Sequence, residues 1–544
     1  MNSLKKILNS ALLALAITTV FVACKDDEDD FELKRRFKPA AFEIEEGETS
    51  ATIKWSRSLF TLPGDVEYVV EISKDSTNFT NVEFTSNTKE PEVIINDTQI
   101  DIKTNYFARV KAVGGSGAED SNWLVSESFQ ITGEVLVLPV REHDIIIDAV
   151  RIRWKPNAVI TKIILTPQVG EPKEIVIPSE ELAQGEKIVT GLTNNANYTI
   201  EVFKDDIGKG SVSFRTKNAY TDANIVDLRG IQGKTGILSD TLNDIPSGSV
   251  IYLKRGLKYE FNATSTSKAF SKSVLILSGP DFIEEYAQIN INGTSLNIVA
   301  NSTIDSLVFK DIIIRGTRKE ESYNGDYLFN INAIGTIKKM KFEGCRVRVL
   351  RGVVRMQAGT TGTKVENYLI NNCVMDSIRE YGIGTANNSN LFANIKVSNS
   401  TFYRFRKLLD LRVAGNNSLV LENCTLNEVP AAGPAGSPNF LIDFNTFGSA
   451  NPIVINNCVI GKTWIETNGT TDGGAIRVTG TNVSATSTYV LSDFITNNES
   501  YKITGASAYT GASTAVFADP AKGDFKIKDT AFPGARSAGD PRWR

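Results

Sequence analysis

A short strand phrase returns five times in the second half of the chain: FEGCRV from Phe342, INNCVM from Ile370, VSNSTF from Val397, LENCTL from Leu421 and INNCVI from Ile455. Its small fourth position falls at Cys345, Cys373, Ser400, Cys424 and Cys458, in steps of 28, 27, 24 and 34 residues. A period of this length fits a solenoid in which one repeat makes one turn and insertions are confined to loops. The expected architecture is a right-handed parallel β-helix.

Stacking then fixes what each position does. Parallel rungs lie about 4.8 Å apart, so equivalent residues form ladders. Asp311, Gly344, Asn372, Asn399, Asn423 and Asn457 form one ladder, whose amides are expected to hydrogen-bond along a bend. Cys345, Cys373, Ser400 and Cys424 form the inward ladder beside it, where Cys serves as a small apolar residue. Parallel Cβ vectors oppose the torsion of a disulfide, so Cys345, Cys373, Cys424 and Cys458 are expected as buried free thiols.

Composition narrows the chemistry. The net charge is −4 and His143 is the only histidine. A polyanion binder of the nucleic-acid type carries a basic excess, and a Ser-His-Asp triad or multi-histidine metal site needs imidazoles that the repeats do not supply.

The first 24 residues bear on location. MNSLKK is basic, ILNSALLALAITTVFVA is apolar and of signal length, and Ala23 directly precedes Cys24. This reads as a signal peptide over 1–23 with Cys24 as the lipidated N-terminus of a bacterial lipoprotein, and a charged tether over 24–38. The run KDDEDD resembles the surface-export signal of lipoproteins from Gram-negative glycan-foraging bacteria. That resemblance implies an outer-membrane protein facing the cell exterior.

Two sandwiches are expected next. Residues 39–132 show short alternating runs ending at Trp55, Ser73 and Val113, and residues 134–216 repeat the pattern with Trp154 and Tyr198 placed as Trp55 and Tyr106 are. Both segments resemble fibronectin type III domains, with the tryptophans in the core and the tyrosines near the corner. Such modules imply spacers.

From about Asn224 the character changes. GILSDTLNDIPSGSVIYLKRGLKYEF reads as a short helix, a turn and a strand pair, and a helix is needed to cover the open end of a stack. This string resembles the opening of pectate-lyase-like β-helices, and VFADPAKGDFKIKD with GDPRW resembles their final coil. The resemblance covers 224–544 and extends to β-helix families of surface lipoproteins from polysaccharide-use operons. The fold class is therefore all-β, with two β-sandwich domains followed by a parallel β-helix with an N-terminal capping helix.

Function is sought on outward ladders. Six residues after each Cys or Ser stand Arg351, Arg379 and Arg406, a column that repels itself unless an anion lies across it, and guanidinium forks suit carboxylates. Pairing with Glu380 or other local acids accounts for the same residues. A second ladder aligns Asn330, Arg355, Ile383, Asp410 and Asp443, with Asn332, Gln357, Thr385, Arg412 and Asn445 two positions on. Asp410 and Asp443 beside Arg355 and Arg412 supply the residue types of a uronate lyase, acids for calcium and a base for the proton next to a carboxylate. Salt-bridged surface ladders explain them equally.

The leading expectation is a surface lipoprotein that binds an acidic, uronate-containing polysaccharide along the β-helix face, with Arg351, Arg379 and Arg406 as contacts and glycan-uptake proteins as neighbours. A β-helix lyase using calcium is the alternative, and a non-catalytic adhesion or scaffold role a third.

Overall fold

The computed structural model describes residues 34–544 apart from 116, 222, 320–324, 358–361 and 468. The signal-like segment, Cys24 and the acidic run lie outside the described residues. Among the described residues no helix is long and apolar enough to cross a membrane. The chain forms two compact units, the first built from residues up to Arg215 and the second dominated by Thr216–Arg544.

The first unit holds two antiparallel sandwiches. In one, a sheet of Ala40–Glu46, Ser50–Ser56 and Glu92–Asn96 faces a sheet of Val82–Thr88, Tyr68–Ser73, Phe107–Ala112 and Leu124–Val125. Alternation in SATIKWS sends Ala51, Ile53 and Trp55 inward, where Trp55 meets Tyr68 edge-on at 5.5 Å. Tyr106 is buried and its hydroxyl accepts a hydrogen bond from the Asp101 amide at 3.0 Å, the corner expected of it.

The other sandwich pairs Lys173–Val176, Lys162–Pro167, Asn197–Lys204 and Ile207–Arg215 in one sheet and Glu186–Thr190 with Ala149–Arg153 in another. Trp154 is buried, and Tyr198 stacks on Phe214 at 5.5 Å. Both are fibronectin type III-like.

The second unit is a parallel β-helix of three sheets. Sheet one runs from Ile225–Asp227 through Gly335–Glu343, Lys364–Asn371 and Leu391–Ser398 to Val483–Thr486. Sheet two runs from Lys258–Phe261 through Ile312–Gly316, Arg346–Leu350, Val374–Ile378 and Thr401–Phe405 to Ser507–Tyr509. Sheet three stacks Tyr327–Ile331, Gly352–Met356, Gly384–Asn387, Leu409–Arg412, Asn439–Asp443 and Gly473–Arg477. The Ile237–Thr241 helix buries Leu238 against the first rungs, as a cap must.

Inward ladders fill the helix with apolar side chains. Phe309 and Phe342, on neighbouring rungs, stack at 5.4 Å, and Tyr368 packs on Phe392 at 4.9 Å. Each such ring removed from water contributes about 2 kcal/mol. Cys345, Cys373, Cys424 and Cys458 are buried free thiols.

The repeat phrase marks the bend between sheets one and two. Asp311, Gly344, Asn372, Asn399, Asn423 and Asn457 all take left-handed backbone, with φ of 51°, 64°, 53°, 49°, 54° and 52°. Asn, Asp and Gly tolerate that conformation where other residues strain. The amide ladder is interrupted rather than continuous. Asn423 donates to the Asn399 side chain at 3.1 Å, but Asn399 donates to Asn371, and the Asn372 side-chain oxygen is taken by Arg542 at 2.6 Å.

A second bend carries Val349, Ser377, Arg404 and Glu428 at φ of 59°, 56°, 59° and 52°. Left-handed backbone at a β-branched Val costs on the order of 1–3 kcal/mol. The kink turns the chain from sheet two toward sheet three, so it sets where Arg351, Arg379 and Arg406 begin.

Candidate functional site

The site lies on the outward side of sheet three and on the corner that leads into it. Leu350, Ile378 and Phe405 are in register, so Arg351, Arg379 and Arg406 do form a column. Its anions come from the protein. Glu380 bridges Arg351 and Arg406 at 3.1 Å each, and Glu466 meets Arg379 at 2.7 Å and Arg406 at 2.6 Å. Burial raises the Glu380 carboxyl pKa, but the amide of its own residue and the Arg351 and Arg406 charges outweigh it, and the net direction is down. Glu380 therefore stays ionised, and the local-acid pairing holds for the whole column.

Glu466 was not legible as part of this group. It sits two coils downstream of Arg406, on the connection after Val459–Ile460, and no periodicity marks it.

The sheet-three ladder differs from the expected register by two residues at one rung. The observed order is Asn330, Arg355, Thr385, Asp410, Asp443 and Arg477. Ile383, expected between Arg355 and Asp410, is instead fully buried in the core. Arg412 pairs with Asn387 rather than Thr385. The reason is an insertion: three steps separate Arg351 from Val354 and Arg406 from Leu409, but five separate Arg379 from Gly384, the residues in register with one another. The slip is even, so Thr385 takes the ladder place expected of Ile383, and Arg355, Asp410 and Asp443 keep theirs.

The two extra residues are Glu380 and Tyr381. They bulge from the corner, and both carry the local chemistry. Gly352, one coil earlier, makes room: a Cβ there would stand 2.6 Å from the Tyr381 Cβ. Tyr327 pairs with Gly352 in the ladder, and across that missing side chain the Tyr327 and Tyr381 rings approach to 5.5 Å. Arg351 and Arg355 lie over the Tyr381 ring at 5.1 and 4.5 Å. Arg355 also donates to the Asn330 side chain at 3.3 Å, and among the described residues no carboxylate pairs with it.

Further along, the acids are saturated with cations. Asp410 accepts from Lys407 at 2.7 Å and Arg412 at 2.8 Å. Asp443 accepts from Arg412 at 2.9 Å and from both ends of the Arg477 fork at 2.7 Å, and the Asn445 amide adds 2.9 Å. Burial raises the Asp443 pKa, but the Arg477 bonds, the Arg412 and Arg477 charges and the Asn445 amide overcome it, and the carboxyl titrates lower than usual. Such a group holds no proton near neutral pH. Among the described residues no set of three or more His, Cys, Asp or Glu is placed to hold a metal ion. Asp410 and Asp443, the calcium-ligand expectation, have these oxygens occupied by Lys and Arg.

The arrangement thus divides chemically. The Asp410, Asp443, Arg412 and Arg477 end is an internally neutralised network. The Arg355 and Tyr381 end presents a cation and an aromatic ring outward.

Comparison with known proteins bears on the β-helix by sequence. Residues 258–405 match a family described as a domain of unknown function, DUF4957, and residues 419–543 match another so described, DUF5123. No curated protein matches. Among solved structures, the FN1–FN3 domains of chicken CNTN1 align at 13% identity with a TM-score of 0.17, covering 34% of this chain and 70% of that one. A two-domain fibronectin type III segment of chicken tenascin aligns at 13% identity and a TM-score of 0.19, covering 33% and 99%.

Proposed function

We propose that this protein binds an acidic, uronate-bearing polysaccharide on sheet three, with Arg355 and Tyr381 as the central contacts. The observation that carries the reading is the placement of Tyr381 against Arg351 and Arg355, with no carboxylate on Arg355 among the described residues. An aromatic face packs against the apolar face of a sugar ring, and a guanidinium fork receives its carboxylate. Sheet three extends this surface along the axis over successive parallel rungs, which gives a chain polymer room to lie.

Arg351 contributes from beside Tyr381. Arg379 and Arg406, tied by Glu466 and Glu380, orient the corner instead of taking substrate. The basic, apolar and Ala23-Cys24 sequence supports an outer-membrane lipid anchor facing outward, with the fibronectin-like sandwiches as spacers and glycan-uptake proteins as neighbours.

The test is retention of the lipid-free protein on immobilised polygalacturonate, alginate and neutral dextran across a salt gradient. Retention on a uronate polymer but not on dextran is expected. Equal behaviour on all three sinks the reading, and release of an ultraviolet-absorbing unsaturated product would replace binding by β-elimination.

A further inference from the structure

A second patch of cations lies on sheet two, away from the corner just described. Alternation in IIIRG and RVRVL sends Arg315, Arg346 and Arg348 outward while Ile314 and Val347 enter the core. Arg315 and Arg348 are register partners on adjacent rungs, and Arg346 lies two residues before Arg348 on the same strand. Rungs about 4.8 Å apart bring the Arg315 guanidinium within reach of an anion shared with its arginine neighbours on the next strand.

The charge here is not cancelled as it is at the corner. Asp376 stands 3.5 Å from Arg348. Among the described residues no carboxylate lies within ion-pairing distance of Arg315 or Arg346, whereas Arg379 and Arg406 are paired within 2.7 Å. Arg315 and Arg346, on adjacent strands, are like charges that repel, and a bound anion relieves that cost.

The patch is also a groove with aromatic walls. The C-terminal segment covers the later rungs of sheet two: Trp543 donates to Thr401 at 2.7 Å, the Asp540 amide donates to Thr425 at 2.9 Å, and the Gly539 amide donates to Asn457 at 2.8 Å. Trp543 and Tyr403 line the groove, as does Tyr286, whose ring lies 5.8 Å from the Arg346 guanidinium. Glu142, Glu285 and Asp376 also line the groove, alongside Arg315, Arg346, Arg348 and Arg542, and limit the tolerable charge of a ligand.

We infer that the sheet-two groove is a second binding site for an anionic saccharide, one charged group held by Arg315 and Arg346 and a sugar ring set against Trp543. Carboxylated and sulfated sugars share this chemistry. The site stands apart from Arg355 and Tyr381 and does not depend on their role.

The experiment is a fluorescence titration of the protein and of its Trp543→Phe variant with oligogalacturonate, with chondroitin sulfate oligosaccharide and with sodium sulfate. A saturable change with either oligosaccharide is expected in the parent and absent from Trp543→Phe. Arg315→Ala and Arg346→Ala, both on the surface, should each weaken it at least tenfold with an unchanged thermal midpoint, and Arg355→Ala should leave it intact. The carboxylated and sulfated arms identify which charged group is preferred. No change with either oligosaccharide overturns the inference, as does a change that survives both arginine substitutions. A response to sodium sulfate at the same concentration means an adventitious ion only, and removes the saccharide from the account.

Discussion

Glu380 and Tyr381 are neighbours in the chain and occupy the same two-residue bulge, yet they act in opposite senses. Glu380 neutralises Arg351 and Arg406, while Tyr381 lies 4.5 Å from Arg355 and leaves that charge facing out. The insertion therefore both closes the arginine column and creates the aromatic-cation surface.

Gly352→Ala tests the bulge directly. The added methyl collides with Tyr381, whose Cβ is 2.6 Å from the site, so the ring must move. Thermal denaturation should show a loss of about 1–3 kcal/mol, and uronate retention should fall although no charge has changed. Retention equal to the parent would separate Tyr381 from binding.

Glu466→Gln removes the carboxylate shared by Arg379 and Arg406. Two arginines on adjacent rungs then lose a common anion, and the thermal midpoint should drop by a few degrees. Elution from polygalacturonate should shift to higher salt as the corner gains positive charge. An unchanged elution point would mean that the column does not face the glycan.

How much of this was readable in sequence depends on which residues obey the period. The phrase around Cys345, Cys373, Ser400, Cys424 and Cys458 gave the ladder and the buried thiols, because small inward residues repeat wherever the bend repeats. The bend at Asn372, Asn399, Asn423 and Asn457 was legible for the same reason, while its left-handed backbone came from the structure. Arg355, Asp410 and Asp443 were placed on one ladder from alternation alone. Ile383 was misplaced because the two-residue insertion lies at the corner ahead of Gly384–Asn387, where no alternation records it. Glu466 and Arg477 were missed for different reasons: one lies on a connection without period, and the other lies one rung past Asp443, the last residue placed on the sheet-three ladder. Arg355, which among the described residues pairs with no carboxylate, and the paired Arg379 look alike in sequence. Only the positions of Glu380 and Glu466 distinguish them.

Asp443 predicts a pH dependence. Its folded carboxyl titrates below the ordinary value, so its stabilisation is present above the unfolded pKa of about 3.9 and is lost as pH falls through the folded value. Calorimetry from pH 6 down to pH 2 should show the β-helix midpoint falling through this window. Asp443→Asn should begin lower at pH 6, by about 2 kcal/mol for weakened hydrogen bonds to charged partners, and fall less steeply. Parallel curves for the two proteins would contradict the assignment.

The thiols give an independent check of the stack. Burial pushes the Cys345 and Cys424 thiols well up, and all four cysteines after Cys24 are free. A thiol reagent added to protein beginning at residue 25 should label none of them while folded and all four after denaturation. Rapid labelling of the folded protein would mean that the inward ladder is open.

The most direct measurement is calorimetric titration of oligogalacturonate into the parent, Arg355→Ala and Tyr381→Ala, with Arg379→Ala as the comparison. The account predicts that the first two substitutions each weaken the sheet-three binding step about tenfold or more, on the scale of 1–2 kcal/mol for a cation or aromatic contact, while Arg379→Ala changes stability more than affinity. Binding unaltered by Arg355→Ala and Tyr381→Ala would contradict it.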